Sequence, residues 1–136
     1  MQNLIIFVLL GVLAGCQNVD SSSTAYVANY PIRPYAIDKE DAAAIEIAVR
    51  NELKDPLSAI LGEARATIDG KNVVHVCGMV NARNSFGGYT GFVLYQGILA
   101  TNVYNKRVFA VIGMGGSPGD IPSQSIAIMC KRNGIN

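Results

Sequence analysis

The sequence predicts an α+β domain, one N-terminal helix packed on an antiparallel sheet of about five strands and closed by one disulfide. Three observations carry this. One stretch, Asp38 to Lys54, has apolar residues at helical spacing; everything after Gly62 breaks into short β-rich runs between turn residues; and Cys77 and Cys130 lie in two of those runs.

In the helix, Asp38 is a good N-cap, and Glu40 and Asp41 sit in the first turn, where the helix dipole favours acids. Ile45, Val49 and Leu53 recur every four residues as a buried stripe, supported by Ala44 and Ala48. Pro56 biases Asp55 away from helix and ends it. The expected strands are Ala64–Asp69, Val73–Val80, Thr90–Gln96, Ile98–Tyr104, Val108–Ile112 and Ser125–Lys131. Gly97 reads as a bend or bulge, so the two runs flanking it can be one bent strand. Gly70-Lys71-Asn72 reads as a hairpin connection, and Asn105-Lys106-Arg107 as another. Val73, His75, Cys77 and Met79 share one face, with Val74, Val76 and Val80 on the other. That strand should therefore be central and covered on both sides.

Ahead of the helix, Leu4 to Ala14 is an apolar run that closes on Leu13-Ala14-Gly15-Cys16. This resembles the lipobox of bacterial lipoproteins, which implies cleavage before Cys16 and a diacylglycerol, with palmitate, on its thiol. Met1-Gln2-Asn3 lacks the usual Lys or Arg, so the terminal amine alone supplies positive charge. The run is too short for a transmembrane anchor, which needs about 20 residues. The domain organisation follows: signal peptide 1–15, lipidated Cys16 and tether 16–37, and a single α+β domain 38–136. Tyr26, Tyr30 and Tyr35 are placed to dock the later tether onto the domain. An unstructured tether of that size spans on the order of 25 Å. Gln17 stands where Asp would be the inner-membrane retention signal of enterobacteria. The resemblance therefore implies the periplasmic face of the outer membrane, with the inner membrane as the alternative. Export takes the chain to an oxidising compartment, where Cys77 and Cys130 should pair.

Residues 53–59, LKDPLSA, and 76–92, VCGMVNARNSFGGYTGF, together resemble a domain of small exported proteins of bacteria and their phages. Those proteins share LKDP-x-SA and VCG-x-VNA-(K/R)-NS-x-GGY-x-GF. The resemblance implies an exported domain and no particular reaction. Read from the residues, Gly87 and Gly88 permit positive φ, Asn81, Asn84 and Ser85 can bond exposed backbone, and Phe86, Tyr89 and Phe92 should bury their rings. Arg83, Asn84 and Tyr89 are the candidate partner contacts.

The net charge is +1, which gives no case for nucleic acid. Acids concentrate before Gly70 and bases after it, a pattern that suits an acidic helix lying near a basic sheet. Gly113 to Asp120 lacks the GK[ST] ending of a nucleotide loop, and Pro118 and Pro122 speak against a helix following it. A metal site needs three or four ligands, and the chain has one His, so neither metal nor cofactor is expected. His75 with Ser58 or Ser85 is the one nucleophilic arrangement to test, and no G-x-S-x-G surrounds either serine.

The expectation is a non-enzymatic, lipid-anchored binding protein, an accessory subunit of an envelope or secretion complex whose partner is an envelope protein or polymer. The alternatives are a phage or prophage superinfection-exclusion lipoprotein and an envelope hydrolase. Cys16→Ala should abolish palmitate labelling and leave an uncleaved or mislocalised precursor. Unchanged mobility and membrane fractionation would remove the lipoprotein reading.

Overall fold

A computed structural model describes residues 31–136, so the lipobox, Cys16, Tyr26 and Tyr30 lie outside the described residues. Five strands, β1 (Arg33–Tyr35), β2 (Ile60–Ile68), β3 (Val74–Asn81), β4 (Val93–Thr101) and β5 (Arg107–Met114), form one antiparallel sheet in that order. Helix α1 (Lys39–Asn51) follows β1, and a single 3₁₀ turn, Pro56–Ser58, leads into β2. A second helix, α2 (Ile121–Arg132), follows β5. The α+β class and the five-stranded antiparallel sheet are as expected. The helix, however, is neither the only one nor the first element.

The expected strand over Ser125–Lys131 is the second half of α2. Ile126, Ile128 and Cys130 alternate as in a strand, but the buried residues are Ser123, Ile126 and Cys130, at helical spacing, while Ile128 faces water. Pro122 does not prevent this helix. It lies in the first turn, where a missing N–H costs no intrahelical bond. Asp120 caps the helix by accepting from the Ser123 N–H at 2.7 Å. Part of the stretch read as tether is structured too: Arg33–Tyr35 pairs with Ile68–Ala66 as an edge strand.

β3 is central, and its two faces are covered as the sequence implied. Val74, Val76 and Val80 pack with Ile45 and Val49 of α1, while Cys77 packs with Ile126 and Cys130 of α2. Cys77 and Cys130 are disulfide-bonded, with Cα atoms 6.0 Å apart. The bond joins strand to helix, not strand to strand. Closing a loop of 53 residues stabilises the fold by about 4 kcal/mol in the chain-entropy account. Gly97 lies within one continuous strand and is not itself the bulge: Gln96 pairs with Gly113 and Gly97 with Val111, so the extra residue is Ile112 on β5. A Cβ at Gly97 would run into the Ala110 carbonyl and the Phe109 ring. β2 shifts register against β3 between Leu61 and Ala64. Such shifts bend a sheet, and this one curls around α1.

Asp41 records the curl. Its carboxylate is fully buried and accepts from Tyr35 Oη on β1 at 2.9 Å and from Arg107 Nε on β5 at 2.6 Å. Arg107 Nη2 also donates to Tyr35 Oη at 3.3 Å. Flat, the two edge strands would lie about 19 Å apart, beyond the joint reach of a tyrosine and an arginine. The reading of Asp41 as a first-turn acid favoured by the helix dipole is therefore incomplete. It does complete a capping box with Asp38, and it also joins both edges of the sheet to α1.

Burial alone would raise the Asp41 pKa. The Arg107 guanidinium, the Tyr35 hydroxyl and the Asp38 backbone N–H outweigh it and hold the carboxyl below its ordinary value. A depressed folded pKa contributes stability that is complete above the unfolded value of about 3.9 and is lost as pH falls through the folded one. Urea unfolding should show this component in the wild type between pH 4 and more acid conditions, and Asp41→Asn should remove it. At neutral pH, Asp41→Ala should cost on the order of 3 kcal/mol, because Arg107 is left partly buried and unpaired. A loss of a few tenths would show that the sheet closes without this pair.

Candidate functional site

Three turns of this domain have the same construction. In Asp69–Val73, Asn84–Gly88 and Asn102–Lys106, the first residue donates its backbone N–H to the fifth carbonyl, and the fourth donates to the first. The first side chain, through Oδ1, accepts from the backbone N–H of the third and fifth residues at 2.9–3.1 Å. The fourth residue has positive φ: Asn72 at 61°, Gly87 at 82°, Asn105 at 56°. This is the three-residue hairpin loop ending in a left-handed bulge. Asn and Asp suit its first position because a short acceptor folds back onto its own backbone. The second hairpin is therefore anchored on Asn102, upstream of the Asn105-Lys106-Arg107 expected from sequence.

Strand direction sorts the turns between two ends of the sheet. Arg33 pairs with Ile68, Ile68 with Val74 and Val74 with Leu99, so the chain enters the domain at the end that carries the Asp69 and Asn102 turns. The Asn84 turn lies at the opposite end, with the 3₁₀ turn, the end of α1 and the loop from β5 to α2.

That far end is the candidate site. It brings the two sequence motifs together through specific bonds. Arg83 donates its backbone N–H to Ser58 Oγ at 2.9 Å, Tyr89 Oη donates to the Ser58 carbonyl at 3.1 Å, and Lys54 Nζ donates to Ser85 Oγ at 3.0 Å. Arg83 and Tyr89 form a cross-strand pair, the guanidinium 5.5 Å from the ring centre. Asn84 Oδ1 is engaged inside its own turn, and the side chain that the turn presents is Phe86. Phe86 is 95% exposed, and Leu57 beside the Ser58 bonds is also 95% exposed. Tyr89, Phe92 and Ile60 are about half exposed. The expectation that the three rings are buried is thus overturned, most fully at Phe86, because a side chain at the third position of a tight turn points away from the strands. Its place in Asn-Ser-Phe-Gly-Gly was the signal in the sequence.

The same end holds a cleft of about 360 Å³ lined by the end of α1, by Val80, Ala82–Ser85, Thr90 and Val93, and by residues 114–116. Lys54 and Arg83 line it with Glu52, Asn84, Ser85 and Thr90. Asn81 Oδ1 accepts from the Gly91 N–H at 3.1 Å, and Gly91, at φ 95°, packs against Pro118. The loop therefore closes on itself through Asn81 and lies beside the glycine-rich segment at Pro118. That segment provides no phosphate cradle. Asp120 Oδ2 already accepts from the N–H groups of Gly116 at 2.8 Å and Ser117 at 2.9 Å. Bonds from Ser123, and from Ser117 and Gly116, push its carboxyl down to about 2 despite some desolvation, so an anion is already built into the loop.

His75 stands at the other end of the sheet, with Nε2 3.3 Å from Asp69 Oδ2. Arg83, which holds Ser58, is eight residues further along, roughly 25 Å of extended chain. Neither Ser58 nor Ser85 is a partner for His75, and the proposed Ser–His arrangement is not assembled. Among the described residues no group of three or more His, Cys, Asp or Glu is placed to hold a metal ion. No described helix is long and apolar enough to cross a membrane.

Comparison with family models, with curated proteins and with solved structures finds no match for this chain.

Positive φ falls on Gly87 and Gly91, not on Gly88. Gly87→Ala should therefore destabilise the domain by about 1 kcal/mol, while Gly88→Ala should be near neutral, since a Cβ there meets nothing nearer than Asn84 Oδ1 at 3.9 Å. Thermal melts of the two variants check the turn assignment, and equal losses would refute it.

Proposed function

We propose that this chain is a lipid-anchored periplasmic protein of the cell envelope that works by binding, and that it presents the Leu57–Phe86–Tyr89 end to a partner protein. The observation that carries this is the exposure of Phe86 and Leu57, 95% each, on backbone held rigidly by side-chain and main-chain bonds. An aromatic held out in water gains nothing for folding. With Tyr89, Phe92 and Ile60 half exposed at the same end of the sheet, this end has the composition of a recognition surface, where aromatic residues and Arg dominate the energy.

Arg83, over the Tyr89 ring, and Lys54, on Ser85, favour a partner with an acidic rim. The lipobox resemblance supports the membrane tether, and Gln17 supports the outer membrane. A binding role also agrees with His75 standing apart from Ser58 and Ser85. The sequence motifs that resemble small exported proteins are then the parts that build this end: LKDPLSA supplies the 3₁₀ turn, and VNARNSFGGYTGF the presented loop.

A photo-reactive phenylalanine analogue at position 86 in the lipidated protein should give a discrete cross-linked partner, and the same analogue at Ile128 on α2 should not. Phe86→Ser and Leu57→Ser together should abolish capture with little change in Tm, because neither side chain is buried. Capture that survives both substitutions in a folded protein would overturn the reading.

A further inference from the structure

The end of the domain where the chain enters carries its own exposed apolar tip. Val103 and Tyr104 occupy the second and third positions of the Asn102 turn and are 93% and 81% exposed. Asn102 Oδ1, bonded to the Tyr104 and Lys106 N–H groups at 3.0 Å, and Asn105 at φ 56° hold them outward. The turn leads into Arg107, whose Nη2 donates to Tyr35 Oη of β1 at 3.3 Å, so it lies close to the strand through which the polypeptide enters the domain.

We propose that this tip seats in the phospholipid surface that holds the lipid anchor, with Val103 and Tyr104 in the headgroup layer. Tyrosine suits that depth, its ring apolar and its hydroxyl wet. The surrounding charges fit a zwitterionic surface with an anionic minority. Arg33 on β1, Lys39 opening α1, Lys71 in the Asp69 turn and Lys106 beside the tip are all exposed. The carboxylates at this end are Asp38, Glu40 and Asp69, apart from buried Asp41, which is paired with Arg107. Asp69 is turned inward onto the Lys71 and Val73 N–H groups and His75. The diacylglyceryl group brings two acyl chains and holds the protein at the membrane by itself; the interfacial tip adds orientation, fixing which end of the domain faces the surface. With this end down, the Phe86 end points away from the membrane.

The inference rests on lipidation of Cys16, and the test separates the two. The chain contains no Trp, so Tyr104→Trp and Phe86→Trp each introduce a single indole at an exposed site. Each full-length variant is expressed with labelled palmitate, purified and reconstituted into phosphatidylethanolamine–phosphatidylglycerol vesicles. Circular dichroism confirms that both are folded. The indole at position 104 should shift its emission to shorter wavelength and be quenched by lipids brominated near the glycerol, while the indole at position 86 should do neither. A labelled protein whose position 104 is unshifted and unquenched overturns the seating alone, as does quenching at position 86 instead. Absence of label overturns the anchor, and the seating with it.

Discussion

The buried carboxylate of Asp41 is the constraint on which the rest of the domain depends. A five-stranded sheet left open exposes two edges, and each is a template for unwanted pairing. Here a single residue in the first turn of α1 takes a hydrogen bond from each edge strand, Tyr35 on one side and Arg107 on the other. The sheet is thereby drawn around the helix, and Ile45 and Val49 fill its concave side. The cost of desolvating the charge is offset by three donors, Tyr35 Oη, Arg107 Nε and the Asp38 backbone N–H. Because Asp38 caps the helix and Asp41 returns the bond, the geometry of the helix start and of the sheet edges is one arrangement.

Much of this was legible in the residues. Asp38, the Ile45–Val49 stripe and Pro56 marked α1 because capping and periodicity are local properties. The two-sided run at Val74–Val80 marked the central strand for the same reason. The role of Asp41 was not legible, since an acid at the third helical position looks the same whether it meets water or an arginine 66 residues away. α2 was misread because Ile126, Ile128 and Cys130 satisfy a two-residue alternation over a span too short to distinguish it from a helix. Asp120 and Pro122 were the signals that should have decided it. At the far end, Arg83 and Tyr89, read from the sequence as parts of one loop, do meet. Phe86 was assigned to the interior because aromatic residues usually go there, whereas the turn that holds it is specified by Asn84 and Gly87.

The disulfide complements the Asp41 pair. One holds α1 and the edges on the concave side, and the other holds α2 on the convex side, so neither helix depends on packing alone. At the two ends of the sheet the turns hold the backbone while their tips stay out of the core, and there the large exposed side chains Phe86, Leu57, Val103 and Tyr104 are found.

The recurrence of one loop design at three places has a consequence for how such a domain diversifies. Each loop is fixed by its first and fourth residues; of the second and third positions, Gly-Lys, Ser-Phe and Val-Tyr, only the third is constrained, by the backbone N–H it donates to the first side chain. Substitutions at those six positions can accumulate without crossing a stability threshold, while the strands beneath stay unchanged. A lineage of such chains could keep one scaffold and exchange its tips, changing partner or membrane preference by replacing two adjacent side chains.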